Sequence, residues 1–352
     1  MRVLVTGASG LIGRHTVELL LREGHEVRTF RRVPSTATAN SSTPRGVRRL
    51  ESFSVPTSAA AAKAREPGRG EDTSVGTSRA AQDQAAEHEE AVECVTGDVR
   101  FDLAALCAAA QGCQAVVHLA GRGDVAESRR DPLGYAQLNA TGALNALEAA
   151  RAAGATFVLA SSQRVYPLQP QPCREDARLG PDSPYGYTKW VAELWARMAS
   201  EQFGVTTRVL RFFSVYGPGQ RPNGGSGVVT IFARAALAGE PLVVQSAGQR
   251  DFTDVRDVAR GILLVVEAPA DGTHRVYNIA TGVGTTFRAL AELVVATAGS
   301  RSSIEERIQE PSGHDLVADI EHARTELGYS PCIPLHEGVE HYLQWLRQHD
   351  SA

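Results

Sequence analysis

The sequence predicts an α/β protein built on a doubly wound parallel sheet, with a smaller C-terminal α/β lobe. A β-branched run at Val3–Val5 leads into a glycine-rich turn and then into a helix-like apolar pattern that stops at Gly24. Strand-like and helix-like segments alternate in this way as far as residue 213. Beyond it, glycine and proline punctuate Tyr216–Gly225 and the elements become shorter. Such alternation favours parallel strands joined by helical crossovers.

The later elements follow from local apolar patterns. The strands predicted after the first are His25–Phe30, Val92–Val95, Ala115–Leu119, Phe157–Ala160 and Thr207–Phe213. Long helices are predicted at Leu133–Ala153 and Pro184–Phe203, and the second opens with Ser183 as N-cap before a proline. Its larger apolar residues are expected to pack into the core: Val191, Leu194, Trp195 and Met198.

Composition excludes several classes of protein. The 352 residues carry a net charge of −4, so no basic excess is available to bind nucleic acid. No apolar run is long enough for a membrane span, and the N-terminus has no signal-peptide pattern. The five cysteines form no C-x-x-C pair, which indicates reduced thiols of a cytoplasmic protein, and no metal-ligand spacing is found. A small-molecule substrate is the expected partner.

The turn after the first strand has the spacing of a dinucleotide-binding loop. Gly7, Gly10 and Gly13 follow a strand and open a helix. Glycines allow a tight turn, close approach of the backbone to a pyrophosphate and close helix–strand packing, and the phosphates lie on the helix N-terminus. We therefore expect an NAD or NADP site. Its loop contacts are Gly7, Ser9, Gly10, Leu11, Ile12 and Gly13.

The end of the second strand bears on the choice of cofactor. NAD-binding proteins usually place an acidic residue there, whereas this chain has Arg31 and Arg32. Arg31 suits a ribose 2′-phosphate, so the sequence favours NADP. The alternatives are that both arginines are solvated or that Arg31 stacks on the adenine.

Three side chains are predicted to carry the chemistry. Tyr185 and Lys189 stand four residues apart and therefore share one helix face, whereas Tyr187 has Val191 at the equivalent position. A tyrosine with a pKa of about 10 is a poor base, and we expect the Lys189 ammonium and the positive nicotinamide ring to lower that pKa. Ser162 ends a strand and can bond a substrate oxygen. His118, at another strand end, is expected to be structural.

These features divide the chain in two. Residues 1–213 are predicted to form the NAD(P)-binding domain, and residues 214–352 mainly a substrate-binding lobe. A helix within residues 253–268 is expected to begin near Val258, with Asp254 and Asp257 as caps, and to pack back on the first domain. Residues 34–90 are rich in small and polar residues, which predicts a disordered insertion; a docking role is the alternative.

At these residues the chain resembles the extended short-chain dehydrogenase/reductases, in particular the NAD-dependent epimerase/dehydratase group with its nucleotide-sugar 4-epimerases. The resemblance covers almost the whole chain except the insertion, and it implies a Rossmann fold. The matching motifs are Thr6–Gly13, Gly97–Arg100, Val117–Gly121, Asn139–Gly142, Ser161–Tyr166, Tyr185–Lys189, Arg211–Pro218 and Arg250–Thr253.

The resemblance also implies roles for individual residues. Ser162, Tyr185 and Lys189 match the catalytic triad, with Lys189 binding the nicotinamide ribose. The remaining cofactor contacts that it implies are Asp98 and Val99 for the adenine, Leu119, Ala120 and Gly121 for the pyrophosphate and ribose, Asn139 for the nicotinamide half, and Phe212. The substrate contacts that it implies are Ser128, Ser162, Ser214 and Arg250, the last on a nucleotide diphosphate. A homodimer through the two long helices is also implied.

Departures from the family pattern concern the substrate. Dehydratases follow the catalytic Ser or Thr with Asp-Glu, where this chain has Gln163-Arg164, so dehydration is discounted. Ser214 replaces the asparagine usual in the epimerases, and Ser246-Ala247-Gly248 stands where Gly-Asp-Gly is common.

Three functions remain open at this point. The first is an epimerase that oxidises and re-reduces a nucleotide-linked sugar with a retained cofactor. The second is an NADPH-dependent reductase or dehydrogenase of a small carbonyl or alcohol. The third, a non-catalytic NAD(P)-sensing scaffold, is disfavoured by the intact Ser162, Tyr185 and Lys189.

Overall fold

The computed structural model describes residues 1–32, 92–169, 172–220, 227–310 and 315–349. The insertion predicted at residues 34–90 lies outside the described residues. In the described part of the chain, no helix is long and apolar enough to cross a membrane. Nor do the residues of that part include a group of three or more His, Cys, Asp or Glu that could hold a metal ion.

Seven parallel strands form the central sheet. They are β1 (Arg2–Thr6), β2 (Glu26–Arg31), β3 (Val92–Thr96), β4 (Ala115–His118), β5 (Thr156–Ser162), β6 (Thr207–Phe212) and β11 (His274–Ile279). Their spatial order is β3-β2-β1-β4-β5-β6-β11, which reverses direction between β1 and β4 and confirms the predicted fold class. The edge strand β11 comes from beyond residue 213, because the chain returns to the sheet after it has entered the second lobe.

Helices cover both faces of this sheet. The helices are α1 (Leu11–Arg22), α2 (Leu103–Ala110), α3 (Val125–Arg130), α4 (Pro132–Tyr135), α5 (Gly142–Ala153), α6 (Pro184–Phe203), α7 (Val228–Ala238), α8 (Val255–Glu267), α9 (Phe287–Ala298), α10 (Glu321–Leu327) and α11 (Leu335–His349). On one face, α1 packs against α8, with Leu20 and Ile262 in a core that includes Val5. On the other face, α2, α5 and α6 form a second core that includes Leu106 and Leu147.

A smaller lobe lies beyond the sheet. The short strands of this part of the chain are β7 (Val215–Tyr216), β8 (Leu242–Ser246), β9 (Gln249–Asp251), β10 (Thr253–Asp254), β12 (Gly284–Thr286) and β13 (Ile304–Glu310). They pair two by two, as β7 with β10, β8 with β13 and β9 with β12. Phe232, Leu290 and Leu343 bring α7, α9 and α11 together in one apolar core.

The helix predicted at Leu133–Ala153 is not continuous. It begins as α4, widens into a π-helix at Ala136–Thr141 and continues as α5. Single π turns occur mostly where a side chain must be re-aimed at a functional site. Asn139 lies in this turn and is buried.

The helix α6 has the predicted bounds and the predicted N-cap, since the Ser183 side chain accepts a hydrogen bond from Gly186 N. The predicted burial of its larger apolar residues was wrong for two of the four, because Val191 and Met198 are partly buried whereas Leu194 and Trp195 are exposed. Leu194 and Trp195 are 49% and 37% exposed. The buried face instead carries Ala192, Ala196 and Ala199 with Glu193, because only small side chains let the helix lie close to the sheet.

The cap predictions for α8 were half right. Asp254 is the N-cap and accepts from Arg256 N, so the helix begins at Val255 rather than near Val258. Asp257 lies inside the helix, where its carboxylate accepts from the backbone amides of Cys332 and Ile333. It therefore tethers a later loop and caps nothing.

A buried ion pair joins α6 to the sheet. Arg211 of β6 donates from Nη2 to Glu193 Oε2 at 2.7 Å and from Nε to Glu193 Oε1 at 3.1 Å. Both side chains are almost completely buried, at 4% and 6% exposure. The hydroxyl of Ser161, at the end of β5, donates to the same carboxylate. One carboxylate therefore holds the ends of two strands and a helix together.

We predict that Glu193→Gln lowers the free energy of unfolding by about 3–5 kcal/mol, because Arg211 would keep a buried charge without its counterion. Urea denaturation measures the change. The matched control is Glu201→Gln on the same helix, whose ion pair with Arg197 is exposed. That variant should change the free energy by about 0.5 kcal/mol or less. Equal losses in the two variants would contradict the structural role of Glu193.

His118 is a buried neutral residue at the end of β4. Its Nδ1 shares a 2.9 Å hydrogen bond with Thr6 Oγ1 of β1, and its ring stacks on Phe157 of β5. Burial, with a smaller effect of the Lys189 charge, lowers the pKa of His118 to about 3. These contacts support the predicted structural reading, because His118 links the three strands whose ends form the site.

This pKa predicts a specific acid sensitivity. Between pH 6.5 and about 3 the unfolded chain binds a proton at His118 that the folded chain does not, so stability falls as the pH falls through that window. His118→Asn should reduce the slope of unfolding free energy against pH by up to about 1.4 kcal/mol per unit in this window. Urea titrations at several pH values measure it. His336→Asn, at an exposed histidine, is the control, and equal slopes in wild type and His118→Asn would refute the assignment.

Candidate active site

The glycine loop after β1 makes contacts that a side chain would prevent. Gly7 has φ of +72°, and a Cβ there would lie 2.6 Å from Ala120 N. A Cβ on Gly13 would lie 2.2 Å from the Gly7 carbonyl oxygen. The neighbours are backbone atoms that cannot move aside. The loop between β1 and α1 is thus pressed against the loop after β4, as close helix–strand packing requires.

The N-terminus of α1 fits an anionic ligand. Its N-cap is Gly10, and no side chain of the described residues caps the helix there. Ser9 and Gly10 are exposed, while Leu11 and Ile12 are partly buried. Free amide groups at a helix N-terminus, beside a backbone surface kept open by glycine, suit the pyrophosphate of a dinucleotide. These residues fit the predicted NAD(P) group.

The predicted adenine end lies at the carboxyl ends of β2 and β3. Gly97 N donates to Arg31 O at 2.9 Å, which brings Asp98 beside Arg31. The Arg31 side chain donates from Nε to Cys94 Sγ at 3.0 Å. Hydrogen bonds from Arg100 lower the pKa of the Asp98 carboxyl, so it is ionised. Val99 is buried against Gly142 and offers little surface to a ligand.

The loop after β4 is fixed by backbone bonds. Leu119 N donates to Thr6 O at 3.2 Å, and Ala120 N donates to Thr6 Oγ1 at 3.3 Å. A Cβ on Gly121 would lie 3.0 Å from Asn139 Oδ1 and 3.4 Å from Lys189 Nζ. The predicted residues Leu119, Ala120 and Gly121 therefore run from the glycine loop to the predicted catalytic lysine.

Asn139 forms two hydrogen bonds with the backbone of the next residue in this loop, Arg122. Arg122 N donates to Asn139 Oδ1 at 2.9 Å, and Asn139 Nδ2 donates to Arg122 O at 3.0 Å. The same amide nitrogen reaches Thr188 Oγ1 at 3.1 Å, on the helix that carries Lys189. The π turn aims this side chain at both partners. Asn139 thus sets the distance between the loop and α6.

Ser162, Tyr185 and Lys189 meet at the end of β5. Lys189 Nζ donates to Ala160 O at 2.8 Å, which anchors the lysine on the strand that ends in Ser162. The hydroxyls of Ser162 and Tyr185 share a hydrogen bond. Phe212 of β6 pairs in register with Ser162 and is buried beside it. The three predicted catalytic residues are therefore brought together.

The electrostatics of this group differ from the prediction. Burial raises the pKa of Tyr185, and the groups that oppose this rise are Ser162, through its hydrogen bond, and Arg164, through its charge. Lys189 is not among them, because its ammonium faces Ala160 O. Burial also lowers the pKa of Lys189 to about 8. The expectation that Lys189 lowers the pKa of Tyr185 was wrong for this structure.

A cavity of about 780 Å³ lies in the second lobe and reaches Arg164, two residues after Ser162. Its walls include Phe232 and Ser246, and its cations are Arg164, Arg234 and Arg250. Arg250 is 5% exposed, and its guanidinium lies 5.2 Å from the Phe287 ring centroid. The sequence indicated Arg250 but not α7, which supplies much of the wall and has no motif of its own.

The other predicted substrate contacts differ in position. Ser214 has φ of +24°, and its Oγ accepts a 3.0 Å hydrogen bond from Gln163 Nε2, next to Ser162. The side-chain oxygen of Gln163, Oε1, is buried with no hydrogen-bond partner among the described residues. Ser128 is fully buried, and its hydroxyl donates to Val125 O at 2.7 Å within α3. Because a ligand could not reach it, the structure does not support Ser128 as a substrate contact.

Comparisons with known proteins agree with this architecture. Residues 3–280 match the family described as the NAD dependent epimerase/dehydratase family. A UDP-glucose 4-epimerase of Mycolicibacterium smegmatis is 31% identical over 99% of both chains. The structure of MoeE5 in complex with UDP-glucuronic acid and NAD superposes with a TM-score of 0.76 at 27% identity, covering 99% of both chains. The UDP-glucose 4-epimerase of Thermotoga maritima with UDP-glucose gives a TM-score of 0.76 at 26% identity, again covering 99% of both. This chain belongs to the NAD-dependent epimerase/dehydratase family.

Proposed function

We propose that this protein is an NAD-dependent epimerase that inverts carbon 4 of a nucleotide-linked sugar by transient oxidation. The observation that carries the proposal is the meeting of Ser162, Tyr185 and Lys189 at the end of β5. Arg164, two residues after Ser162, lies on the wall of a cavity of about 780 Å³ that also holds the nearly buried Arg250. Similar chains of full length are 4-epimerases of UDP-sugars, which supports the same reaction here.

The chain's own groups divide the work. Bound at the glycine loop, a nicotinamide dinucleotide would supply reversible hydride transfer. Tyr185 takes the proton of the substrate hydroxyl and returns it, and Ser162 bonds the same oxygen as its charge changes. Lys189 stays fixed on Ala160 O and lies within reach of Gly121, where it would hold the ribose. Gln163 and Arg164 cannot act as an acid pair, so elimination of water is not supported.

The cavity suits the rest of such a substrate. A volume of about 780 Å³ lies in the range of sites that enclose a large ligand. Arg250 can pair with a diphosphate, and Phe232 and Phe287 supply apolar surface for a base. Apart from Arg164, the residues on these walls come from position 228 onward, which supports assigning residues 214–352 mainly to the substrate.

We propose NAD rather than NADP as the resident cofactor. MoeE5 was solved with NAD, and the Nε of Arg31 is already engaged by Cys94 Sγ. Binding of a 2′-phosphate by Arg31 remains the alternative. The five cysteines are free thiols, which supports a cytoplasmic location.

A cofactor that stays bound distinguishes an epimerase from a reductase. Protein purified without added nucleotide should convert UDP-glucose or UDP-glucuronate to the C4 epimer with no external NAD(P), and on denaturation it should release NAD. Tyr185→Phe should retain the nucleotide but lose about 100-fold or more in kcat, because proton transfer is removed. Chromatography of products and of the released nucleotide measures both.

Tyr187→Phe, at an exposed tyrosine of the same helix, is the matched control and should keep its activity. A strict requirement for added NADPH would favour the reductase. Full activity of Tyr185→Phe would remove the proposed mechanism, and released NADP would restore the role predicted for Arg31.

We further propose a homodimer formed through α4 and α6. Leu133 on α4 is 76% exposed, and on α6 Tyr187, Leu194 and Trp195 are also exposed. The two helices pack side by side, so these side chains lie on one face of the molecule. An isologous contact of two such faces would cover them.

Leu194→Glu is therefore expected to convert the protein from twice the mass of the chain to the mass of one chain in sedimentation experiments, since a charge would be buried in the interface. Val283→Glu introduces the same charge at an exposed apolar residue elsewhere and should stay dimeric. A monomeric wild-type protein would refute the proposed interface.

A further inference from the structure

Arg164 lies between the catalytic hydroxyls and the substrate cavity. It follows Ser162 by two residues in a short 3-10 helix, Gln163–Val165, and its side chain lines the cavity. Its backbone N donates to Ser162 Oγ at 3.2 Å. A Cβ on Gly186 would lie 2.4 Å from the Arg164 carbonyl oxygen, so α6 packs tightly under this backbone. The guanidinium therefore starts from a fixed point beside the reacting hydroxyls.

The charge of Arg164 is only loosely compensated within the chain. Its Nη1 lies 3.8 Å from Asp182 Oδ2, and the two side chains are 27% and 43% exposed. A long, partly solvated ion pair of this kind contributes little and is easily exchanged for another anion. The same charge also acts on Tyr185, where it opposes the rise in pKa that burial causes. Arg164 is thus a cation near the reacting carbon that is available to a ligand.

The chemistry of a pyranose decides which part of the substrate meets this cation. In a hexose, carbon 1, which carries the nucleotide diphosphate, and carbon 4 lie opposite each other across the ring. A side chain next to the groups that act on carbon 4 therefore lies near the substituents of carbon 3 and carbon 5. Of these two, only the carbon 6 group on carbon 5 can be a carboxylate. The diphosphate points away from that side chain, towards Arg250 in the second lobe.

We propose that Arg164 selects a nucleotide sugar whose carbon 6 is a carboxylate, which makes this protein an epimerase of nucleotide-linked uronic acids. The inference rests on the proposed function and adds the substrate class to it. A guanidinium presents parallel N–H groups that match the two oxygens of a carboxylate in a bidentate pair, whereas a hydroxymethyl group has one uncharged oxygen and cannot form that pair.

The test compares UDP-glucuronate with UDP-glucose, which differ only at carbon 6. On wild-type holoenzyme, the uronate should have a kcat/KM about 10- to 100-fold greater, the usual range for a charge-assisted pair against a neutral one. Arg164→Met should abolish most of this ratio. Because Arg164 also affects Tyr185, the variant lowers the rate with both substrates, and only the ratio reports recognition of carbon 6.

Calorimetry on the same proteins separates the possible outcomes. Arg164→Met should weaken the binding of UDP-glucuronate about 10- to 100-fold and leave the binding of UDP alone within about 3-fold. Arg174→Met, at an exposed arginine outside the cavity, should change neither. An equal loss for UDP alone would make Arg164 a diphosphate ligand and overturn the proposal. So would a wild-type preference for UDP-glucose.

These results are distinct from failure of the proposed function. Binding ratios need no turnover, so a uronate preference that depends on Arg164 would stand even if epimerisation were not observed. Epimerisation of UDP-glucose with no effect of Arg164→Met on the ratio would keep the epimerase and refute the uronate. If neither sugar nucleotide bound, the proposed epimerase function and the proposed uronate preference would both be refuted.

Discussion

The position of the reactive groups depends on the buried ion pair between Arg211 and Glu193. Glu193 stands one helical turn beyond Lys189, and its carboxylate also accepts from Ser161, the neighbour of Ser162. Arg211 donates in addition to Tyr166 Oη at 2.7 Å, and that hydroxyl donates to Asn278 of β11. One guanidinium therefore couples β5, β6, β11 and α6. Two charges buried in this way are tolerable only because each is fully bonded, and the same requirement fixes the geometry.

Contacts with backbone atoms also help to fix the residues at this edge of the sheet. Lys189, the predicted catalytic lysine, is held by a strand carbonyl, the loop after β4 by Thr6 and Asn139, and the glycine loop by contact with Ala120. Each of these partners belongs to a strand end or to a helix packed on the sheet. The chain thus fixes its reactive groups before any ligand arrives, which is how an active site limits the entropy lost in the reaction. This arrangement buries the Lys189 ammonium, and the loss of hydration lowers the pKa of that group.

The cavity in the second lobe is built differently from this edge of the sheet. Apart from Arg164, its lining residues come from the second lobe, and its charged side chains are Arg164, Arg234, Glu240 and Arg250. Charged groups placed among apolar side chains such as Phe232 and Phe287 can orient a ligand and give specificity.

The sequence by itself determined several features that obey a local rule. A glycine at positive φ, a tyrosine and lysine four residues apart, and a serine before a proline at a helix start are set by covalent geometry and helix periodicity, and the loop at Gly7, the Tyr185–Lys189 pair and the Ser183 cap were all found in that way. Tertiary structure alone decided the rest. Leu194 is exposed while Glu193 is buried, Asn139 lies in a π turn, Ser128 is sealed inside α3, and the Lys189 charge faces Ala160 rather than Tyr185. These outcomes depend on which surfaces meet across the sheet, and residues distant in sequence make those surfaces.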